Sequence, residues 1–442
     1  MIIRRLGIVA LGLVLTGCGS DGFDWLGEPP PPPLKGDRIA VLDLETELQA
    51  DAGVENTPVI LPLPTDTPNW PQYGGRLDKA MHHVAAPGAL EEIWSRSIGE
   101  GQGRFRKLIA QPVVALGRVF TLDADTTVRA FDAATGDSLW SFDIEPEDED
   151  EGGWGGGLAF YRDRLYVTTG YGELIMLDHE TGEEYWRVRI GPPLRKPPTV
   201  SQGRVYLVTS DNELVALNAD TGDILWSHRG LDEIAGLLGG GSPAVSGSVV
   251  IASYLSGELY ALRAENGRVV WVDTLAYAAR FGSLAALNDI NGSPVIDRGL
   301  VFAISHSGRL VAIDLASGAR VWERDIAGVQ TPWVAGDYLY VVTIDGHVIC
   351  LFRLDGRIRW VTTLPQFENL EDREDPIQWT GPVLAGDRLL VAGSDGRAAS
   401  VSPYTGVVLG MVDLGSGLPL SPVVASEIVY FVEEAGELIA LR

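Results

Sequence analysis

The chain is poor in cysteine, histidine and basic residues. It has 2 cysteines and 6 histidines in 442 residues, and its 34 Lys and Arg stand against 60 Asp and Glu, a net charge of −26. So few cysteines exclude a fold built on disulfides. The negative charge excludes a basic nucleic-acid-binding face and electrostatic attachment to anionic lipid. The histidines lack zinc-ligand spacing, so we predict no metal site and expect the adjacent His82 and His83 to be solvated.

The N-terminal apolar run is too short to cross a bilayer. Residues 6–15 form this run, whereas a transmembrane helix needs about 20 residues. Arg4 and Arg5 precede the run, and small residues follow it. This order is typical of a secretory signal, so we predict that residues 1–17 are a signal peptide.

The end of that segment, Leu15-Thr16-Gly17-Cys18, resembles the lipobox of bacterial lipoproteins. The resemblance implies cleavage before Cys18 and a covalent lipid on that residue. An ordinary cleaved signal with an incidental cysteine is the alternative. Lipoproteins retained in the inner membrane typically carry an aspartate directly after the cysteine, whereas Gly19 follows here. The resemblance therefore implies the periplasmic face of the outer membrane.

Residues 18–65 differ in composition from the rest of the chain. An unbroken proline run occupies residues 29–33, and such a run favours a stiff, extended conformation. Residues 38–42 are apolar enough for one short strand. We predict that residues 18–65 tether the folded body to the lipid.

Tryptophans recur at a regular interval in the remaining sequence. The six intervals between Trp94 and Trp360 span 266 residues, a mean of about 44. A phrase ending in glycine precedes most of these tryptophans, for example Asp132-Ala133-Ala134-Thr135-Gly136 before Trp140. A further copy, Thr405-Gly406, is followed by Gly410 where a tryptophan is expected.

Each phrase belongs to a unit that begins with an apolar run, usually after a proline. The units begin near Pro112, Leu158, Pro198, Pro243, Pro294, Pro332, Pro382 and Pro422. The unit at Pro422 stops at the C-terminus before its last strand, and residues 91–98, around Trp94, supply a matching strand.

The physical chemistry of one unit predicts the fold. The Asp or Asn side chain can bond backbone amides across a turn, and the glycine can adopt positive φ. The tryptophan four residues later is expected to begin the outer strand and to bury its ring against the next unit. Units of 40–50 residues with four strands are typical of propellers. We therefore predict an all-β, eight-bladed β-propeller of four-stranded antiparallel blades over residues 66–442, closed by pairing the N- and C-terminal strands.

The phrase from Ala130 to Trp140 resembles the tryptophan-docking motif of quinoprotein propellers, and the stretch Asn69-Trp70-Pro71-Gln72-Tyr73-Gly74-Gly75 is similar too. Two families share this motif, the pyrroloquinoline-quinone alcohol dehydrogenases and the BamB lipoproteins of the β-barrel assembly machinery. The dehydrogenases carry adjacent cysteines and long insertions, which this chain lacks. The resemblance therefore favours the BamB family and implies a non-catalytic scaffold without cofactor. A quinone-dependent dehydrogenase is the alternative.

Membership of the BamB family implies that the chain docks the central barrel-assembly protein and helps the insertion of β-barrel proteins. In that family a Leu-x-Leu-Arg loop contributes to docking, and here Leu237 matches whereas Leu238 stands in place of the arginine. A second element, Asp-x-Asp, corresponds to Asp289 and Asn291. We expect these four residues to bind the partner, and unfolded barrel clients are further candidate partners.

Other motifs carry weaker expectations. Cys350 lies in an apolar strand pattern and is expected to be a small buried hydrophobe. The acidic run of residues 145–151 is expected to be a solvated loop rather than a calcium site, and the glycine runs 152–157 and 239–241 lack the Lys of a phosphate loop. Residues 273–292 and 362–381 are the longest loops between units, and the first contains Phe281, Leu284 and Leu287 as candidate interface residues beside Asp289.

Overall fold

The regular structure of the chain is built from β-strands. The structure is a computed structural model that describes residues 48–146, 153–233, 236–276 and 288–442. These residues form 34 strands, 32 of which make eight four-stranded antiparallel sheets. None of the described residues belongs to a helix that could span a bilayer. The predicted signal peptide, Cys18, the proline run and the candidate strand at residues 38–42 lie outside the described residues.

The sheets are the blades of an eight-bladed propeller, which confirms the predicted fold. Seven blades are contiguous in sequence, and each begins near the residue that the repeat predicted. The strands of blades 1–4 are β2 (Val113–Ala115), β3 (Arg118–Leu122), β4 (Thr127–Asp132), β5 (Ser138–Asp143); β6 (Gly156–Tyr161), β7 (Arg164–Thr169), β8 (Glu173–Asp178), β9 (Glu184–Arg189); β10 (Thr199–Ser201), β11 (Arg204–Val208), β12 (Glu213–Asn218), β13 (Ile224–Arg229); and β14 (Ala244–Ser246), β15 (Val249–Ser253), β16 (Glu258–Arg263), β17 (Val269–Thr274).

Blades 5–8 follow the same plan, with one added hairpin between blades 6 and 7. Their strands are β18 (Val295–Asp297), β19 (Leu300–Ile304), β20 (Leu310–Asp314), β21 (Arg320–Arg324); β22 (Trp333–Ala335), β23 (Tyr338–Val342), β24 (His347–Phe352), β25 (Ile358–Thr363); β28 (Trp379–Ala385), β29 (Arg388–Gly393), β30 (Arg397–Val401), β31 (Val408–Asp413); and β32 (Val423–Ala425), β33 (Ile428–Val432), β34 (Glu437–Leu441), β1 (Glu92–Ser97). The added hairpin is β26 (Phe367–Asn369) with β27 (Glu374–Pro376).

Blade 8 joins the two ends of the propeller sequence, as the incomplete last repeat predicted. Strand β1 pairs antiparallel with β34, and Trp94 lies opposite Ala440. The pairing continues beyond the strands, because Glu91 and Arg442 exchange backbone hydrogen bonds of 3.0 and 2.8 Å. Blade 8 is therefore a continuous sheet, although its strands come from the two ends of the propeller sequence.

Each repeated tryptophan contacts the turn of the following blade. The indole Nε1 of Trp360 donates to the carbonyl of Pro403 at 3.1 Å, and that of Trp94 donates to Ala133 at 3.3 Å. The same bond recurs at five other blades, with Nε1–O distances of 2.8–3.1 Å for Trp140, Trp186, Trp226, Trp271 and Trp322. The prediction that each ring packs against the next unit is confirmed, although each tryptophan is the third residue of its strand and not the first.

The turn that receives the indole has the chemistry that the sequence predicted. In blade 1, Asp132 Oδ1 accepts hydrogen bonds from the amides of Ala134 and Thr135, both at 2.9 Å. Gly136 has a φ of 73°, and a Cβ added there would lie 2.7 Å from the Trp94 ring. Glycine is therefore required by both the backbone and the ring.

The meander gives the propeller two different faces. Consecutive antiparallel strands reverse direction, so the first and third hairpins of a blade lie at one end, and the second hairpin and the connection to the next blade lie at the other. We name the first the turn face, which includes Leu116 and Gly117 between β2 and β3. We name the second the connection face, which includes residues 123–126 between β3 and β4.

An N-terminal segment, residues 65–85, lies inside the ring of inner strands, passes all eight blades and is here named the axial strap. Its ends meet, because Thr65 N donates to His83 O and Ala85 N to Thr65 O, both at 2.9 Å. Starting from blade 8 and continuing through blades 1–7, the strap bonds Thr67 O to Ser426 N (2.8 Å), Trp70 N to Val114 O (2.7 Å), Pro71 O to Phe160 N (2.6 Å), the Gln72 side chain to Val200 (3.0 Å), Leu77 O to Val245 N (2.8 Å), Asp78 O to Ile296 N (2.8 Å), His82 O to Trp333 Nε1 (2.7 Å) and Val84 N to Leu384 O (3.1 Å).

The strap satisfies inner-strand backbone groups that would otherwise face the axis, and it packs the interior of the ring. Trp70 stacks on Trp333 with ring centroids 6.3 Å apart. Lys79 Nζ donates to Tyr73 O at 2.9 Å, and burial lowers the pKa of Lys79 to about 7. The cavity beside these residues measures about 30 Å³, room for about one or two water molecules.

The described end of the predicted tether, residues 48–65, lies against blade 6. Asp51 N donates to Ile358 O at 2.9 Å, and Asp51 Oδ2 accepts from Ile358 N at 2.7 Å. Tyr338 donates its hydroxyl to Pro58 O at 3.1 Å. These contacts hold the chain on the turn side of the propeller before it enters the strap.

Two single-residue expectations have different outcomes. Cys350 is fully buried, and burial raises the pKa of its thiol, so the expected role as a small hydrophobe is confirmed. The expectation of solvated histidines is wrong for His83, which is 1% exposed. Its Nε2 accepts from Asp387 N at 3.1 Å and its Nδ1 lies 2.9 Å from Pro62 O. The ring is buried because it connects the strap to blade 7.

Candidate partner-docking site

The four residues predicted to bind a partner lie together on the connection face. Leu237 and Leu238 belong to the connection between β13 and β14, and Asp289 and Asn291 to the connection between β17 and β18. Leu237 N donates to Asp289 Oδ2 at 2.9 Å, across 52 residues of sequence. A second bond, from Gly241 N to Asn291 O at 2.7 Å, joins the same two connections. One surface between blades 3, 4 and 5 therefore contains both elements.

The four residues differ in how far their side chains are exposed to solvent. Leu238 is 51% exposed, whereas Asp289 is completely buried and Leu237 and Asn291 are half-buried. Burial raises the pKa of Asp289, opposed by nearby Lys196 and by the hydrogen bond from the Leu237 amide. Asp289 therefore holds the Leu237 connection in place, and Leu238 is the exposed side chain among the four.

The glycine run at residues 239–241 allows the two connections to approach closely. Gly240 has a φ of 130°, and a Cβ added there would lie 2.6 Å from Asn291 Oδ1. A Cβ added at Gly241 would lie 2.2 Å from Ser293 N. Both contacts are too short for any larger residue without displacement of the neighbouring connection.

Sequence reasoning missed two cations that complete this surface. Arg195 and Lys196 belong to the connection between β9 and β10 and line a pocket with Leu237, Leu238 and Leu255. They stand in Pro192-Pro193-Leu194-Arg195-Lys196-Pro197-Pro198. The one available signal was a charged pair inside an otherwise apolar connection.

The two long loops expected to carry binding are described to different extents. Phe281, Leu284 and Leu287 lie outside the described residues, as do residues 147–151 of the acidic run. The loop between blades 6 and 7 contains the β26–β27 hairpin, in which Phe367 lies opposite Pro376. Leu370 at its tip is 72% exposed, so the hairpin adds a second protruding apolar residue on the connection face.

Within the described ranges, no three His, Cys, Asp or Glu side chains lie close enough together to bind a metal ion.

Comparisons with known proteins identify the family. The sequence profile described as "Outer membrane protein assembly factor BamB" matches residues 124–362. The protein of that name from Salmonella typhimurium is 31% identical over 303 residues, 67% of this chain and 75% of that protein. The Escherichia coli protein of the same name is 30% identical over 343 residues, 75% of this chain and 83% of that protein.

Solved structures agree in fold. BamB from Moraxella catarrhalis superposes with a TM-score of 0.68 at 18% identity, over 80% of this chain and 100% of that chain. A europium-containing methanol dehydrogenase superposes with a TM-score of 0.69 at 14% identity, over 85% of this chain and 98% of that chain. At these identities both likenesses concern the fold alone, and the decision between the two rests on the sequence profile and the sequence relatives. The chain belongs to the family of the outer membrane protein assembly factor BamB.

Proposed function

We propose that the protein is a non-catalytic scaffold lipoprotein on the periplasmic face of the outer membrane. A lipid on Cys18 anchors it, and its connection face docks the periplasmic domains of the central barrel-assembly protein, which helps β-barrel proteins to insert. The observation that carries this proposal is the hydrogen bond from Leu237 N to Asp289 Oδ2. It unites the two sequence elements that resemble the docking elements of the family, in a chain whose relatives are named assembly factors.

The placement of the N-terminal residues supports a free connection face. The axial strap bonds to the inner strands, and its neighbours include Leu116 and Ser426 in turns of the turn face. The preceding residues follow blade 6 beside Ile358. The described residues before the strap therefore lie on the turn side, whereas Leu238 lies on the connection face and is 51% exposed.

The docking surface is tested by placing a charge on it. Leu238→Asp adds a carboxylate to the exposed apolar side chain, and Leu116→Asp makes the same change at a residue that is 56% exposed on the turn face. Full-length lipidated protein would be purified from envelope with each variant, and the recovered central barrel-assembly protein would be quantified. We expect Leu238→Asp to reduce recovery about tenfold, because a buried unpaired charge opposes docking, and Leu116→Asp to leave recovery unchanged.

Two results would contradict the proposal at different levels. Normal recovery with Leu238→Asp would show that docking uses another surface. Absence of the barrel-assembly protein from the wild-type preparation would show that the partner itself is wrong.

The alternative, a quinone-dependent dehydrogenase, is tested through its cofactor. The cavity lined by Trp70, Lys79 and Trp333 measures about 30 Å³, which is much smaller than a typical small-molecule site, so the quinone does not fit between these residues. Purified protein would be incubated with pyrroloquinoline quinone and calcium and then freed of unbound quinone. We expect no stoichiometric chromophore and no reduction of an electron-accepting dye. A retained chromophore with alcohol-dependent dye reduction would establish the enzyme instead.

A further inference from the structure

A pocket beside Leu237 and Leu238 is lined by two cationic side chains, Arg195 and Lys196. It measures about 290 Å³ and opens between the connections that lead into blades 3 and 4. Leu237, Leu238 and Leu255 form apolar parts of its wall, and Arg195 and Lys196 line it from the β9–β10 connection. We name it the cation pocket.

Lys196 is buried without a hydrogen-bond acceptor. The residue is 5% exposed, and its Nζ has no hydrogen-bond partner among the described residues. Asp289 is the acidic group that faces it. Its Oδ2 accepts from Leu237 N, its Oδ1 also has no hydrogen-bond partner among the described residues, and no hydrogen bond joins it to Lys196. Burial lowers the pKa of Lys196, and Asp289 opposes this only in part. Within the described ranges, the ammonium therefore has no anionic oxygen at hydrogen-bonding distance.

Arg195 provides a second, incompletely satisfied cation. Its guanidinium lies 4.3 Å from the ring centroid of Trp154, which fixes its orientation. Its Nε has no hydrogen-bond partner in the described part of the chain, and burial lowers its pKa. Glu233, which is the one acidic residue among the described residues that line the pocket, has an interaction partner of its own.

The backbone is shaped to accept the lysine side chain in this position. A Cβ added at Gly240 would lie 2.9 Å from Lys196 Cε and 2.6 Å from Asn291 Oδ1. Glycine at 240, with its φ of 130°, therefore leaves a passage for the lysine between two connections. An unpaired ammonium in such a passage is expected to serve a ligand, since it does not stabilise the free protein.

We propose that the cation pocket receives the carboxylate of an Asp or Glu side chain of the docked partner, with Lys196 as the principal donor and Arg195 as the second. The leucine walls suit the aliphatic part of such a side chain, and the mouth lies beside Leu238 in the proposed docking surface. The net charge of −26 disfavours capture of a free anion from solution. A carboxylate held on a docked protein overcomes this repulsion through the rest of the interface. This inference rests on the proposed function.

The test measures binding and stability of the same variants. Full-length lipidated protein in detergent would be titrated with the purified periplasmic region of the central barrel-assembly protein. We expect Lys196→Met to weaken binding about tenfold and to leave the melting temperature of the free protein nearly unchanged, because relief from burying the ammonium is offset by the loss of its attraction to Asp289. Lys107→Met, which alters a half-buried lysine before blade 1, is expected to change neither. A structural defect would lower both quantities together.

Substitutions in the partner identify the carboxylate. Each Asp and Glu of its periplasmic region would be changed to Asn or Gln, and one change is expected to weaken wild-type binding yet have no further effect with Lys196→Met. Unchanged binding of Lys196→Met, while Leu238→Asp still weakens binding, would overturn this inference and leave the proposed function intact. Absence of wild-type binding would overturn both.

A free anion is distinguished with acetate. Millimolar sodium acetate that raises the melting temperature of the wild type but not of Lys196→Met, with equal partner binding by both, would show a small-anion site and overturn the proposal. No response to acetate, together with weakened partner binding, supports it.

Discussion

Seven junctions between neighbouring blades in the described structure contain a docked tryptophan, whereas the junction between blades 7 and 8 does not. In blade 7, Gly410 occupies the position that Trp360 occupies in blade 6. Blade 8 has no hairpin turn between its third and fourth strands, because β34 and β1 come from opposite ends of the propeller sequence. The indole donor is therefore absent from the one junction in the described structure at which the next blade offers no turn carbonyl to accept its hydrogen bond.

A tyrosine adds a second donor at four of the docked junctions, whereas Phe120, Ile251 and Phe302 stand at this position in the other three. Tyr340 donates its hydroxyl to Pro403 O at 3.2 Å, the carbonyl that Trp360 also uses, and Tyr430 shares Ala133 O with Trp94 in the same way. At the equivalent position of blade 7 stands Leu390. The irregular seventh repeat therefore has a structural cause. A buried donor without an acceptor would be costly there, and the strap bonds both blades of this junction, through Leu384 of blade 7 and Ser426 of blade 8.

The largest expected effect comes from removing a docked indole. Trp360→Ala deletes a nearly buried ring and its hydrogen bond to Pro403 O. We expect the free energy of unfolding to fall by about 3–5 kcal/mol, as for other large-to-small changes of buried aromatic residues. Urea unfolding followed by tryptophan fluorescence and by circular dichroism would measure it. A loss below about 1 kcal/mol would show that docking does not hold the blades together.

A smaller loss is expected when the receiving turn is altered. Gly406 has a φ of 78°, and an added Cβ would lie 2.8 Å from the Trp360 ring. Gly203→Ala is the matched control, since its φ is 73° and an added Cβ meets nothing within 4 Å. We expect about 1 kcal/mol of backbone strain in the control and about 2 kcal/mol in total for Gly406→Ala, measured by the same unfolding. Equal losses would mean that the ring contact is unimportant.

The shared carbonyl predicts a still smaller effect. Tyr340→Phe removes one of two donors to Pro403 O, and Trp360 retains the other. We expect a loss of about 1 kcal/mol, the net contribution of one buried hydrogen bond. Phe120 and Phe302 already occupy this position in blades 1 and 5 and lie about 6 Å from their tryptophans. A loss above about 3 kcal/mol would indicate that the tyrosine hydroxyl has an additional structural role.

The propeller could be predicted from the sequence because its determinants are local. Asp132, Gly136 and Trp140 stand within nine residues, and the recurrence of this pattern predicted the eight blades and the closure of the ring in blade 8. The axial strap could not be predicted, because it bonds mainly through backbone atoms to one inner strand from each blade, and backbone bonding leaves no residue pattern. Lys196 could not be assigned because the pocket is built from separate connections. The resemblance made Leu237 and Asp289 candidates, but the burial of Asp289 beneath the Leu237 connection depends on the three-dimensional fold.

The smallest effect on stability is expected at the junction between blades 7 and 8. Gly410 lies in β31, an edge strand, and an added Cβ meets nothing within 4 Å. Gly410→Ala should stabilise the protein by about 0.5–1 kcal/mol, because alanine loses less backbone entropy than glycine in a strand. Gly410→Trp should gain no more than that, since no turn carbonyl of blade 8 is available to the indole. If Gly410→Trp instead increased the free energy of unfolding by several kcal/mol, measured from the urea midpoint, blade 8 would contain an acceptor for the indole. The junction between blades 7 and 8 would then be able to dock a tryptophan as the other seven junctions do.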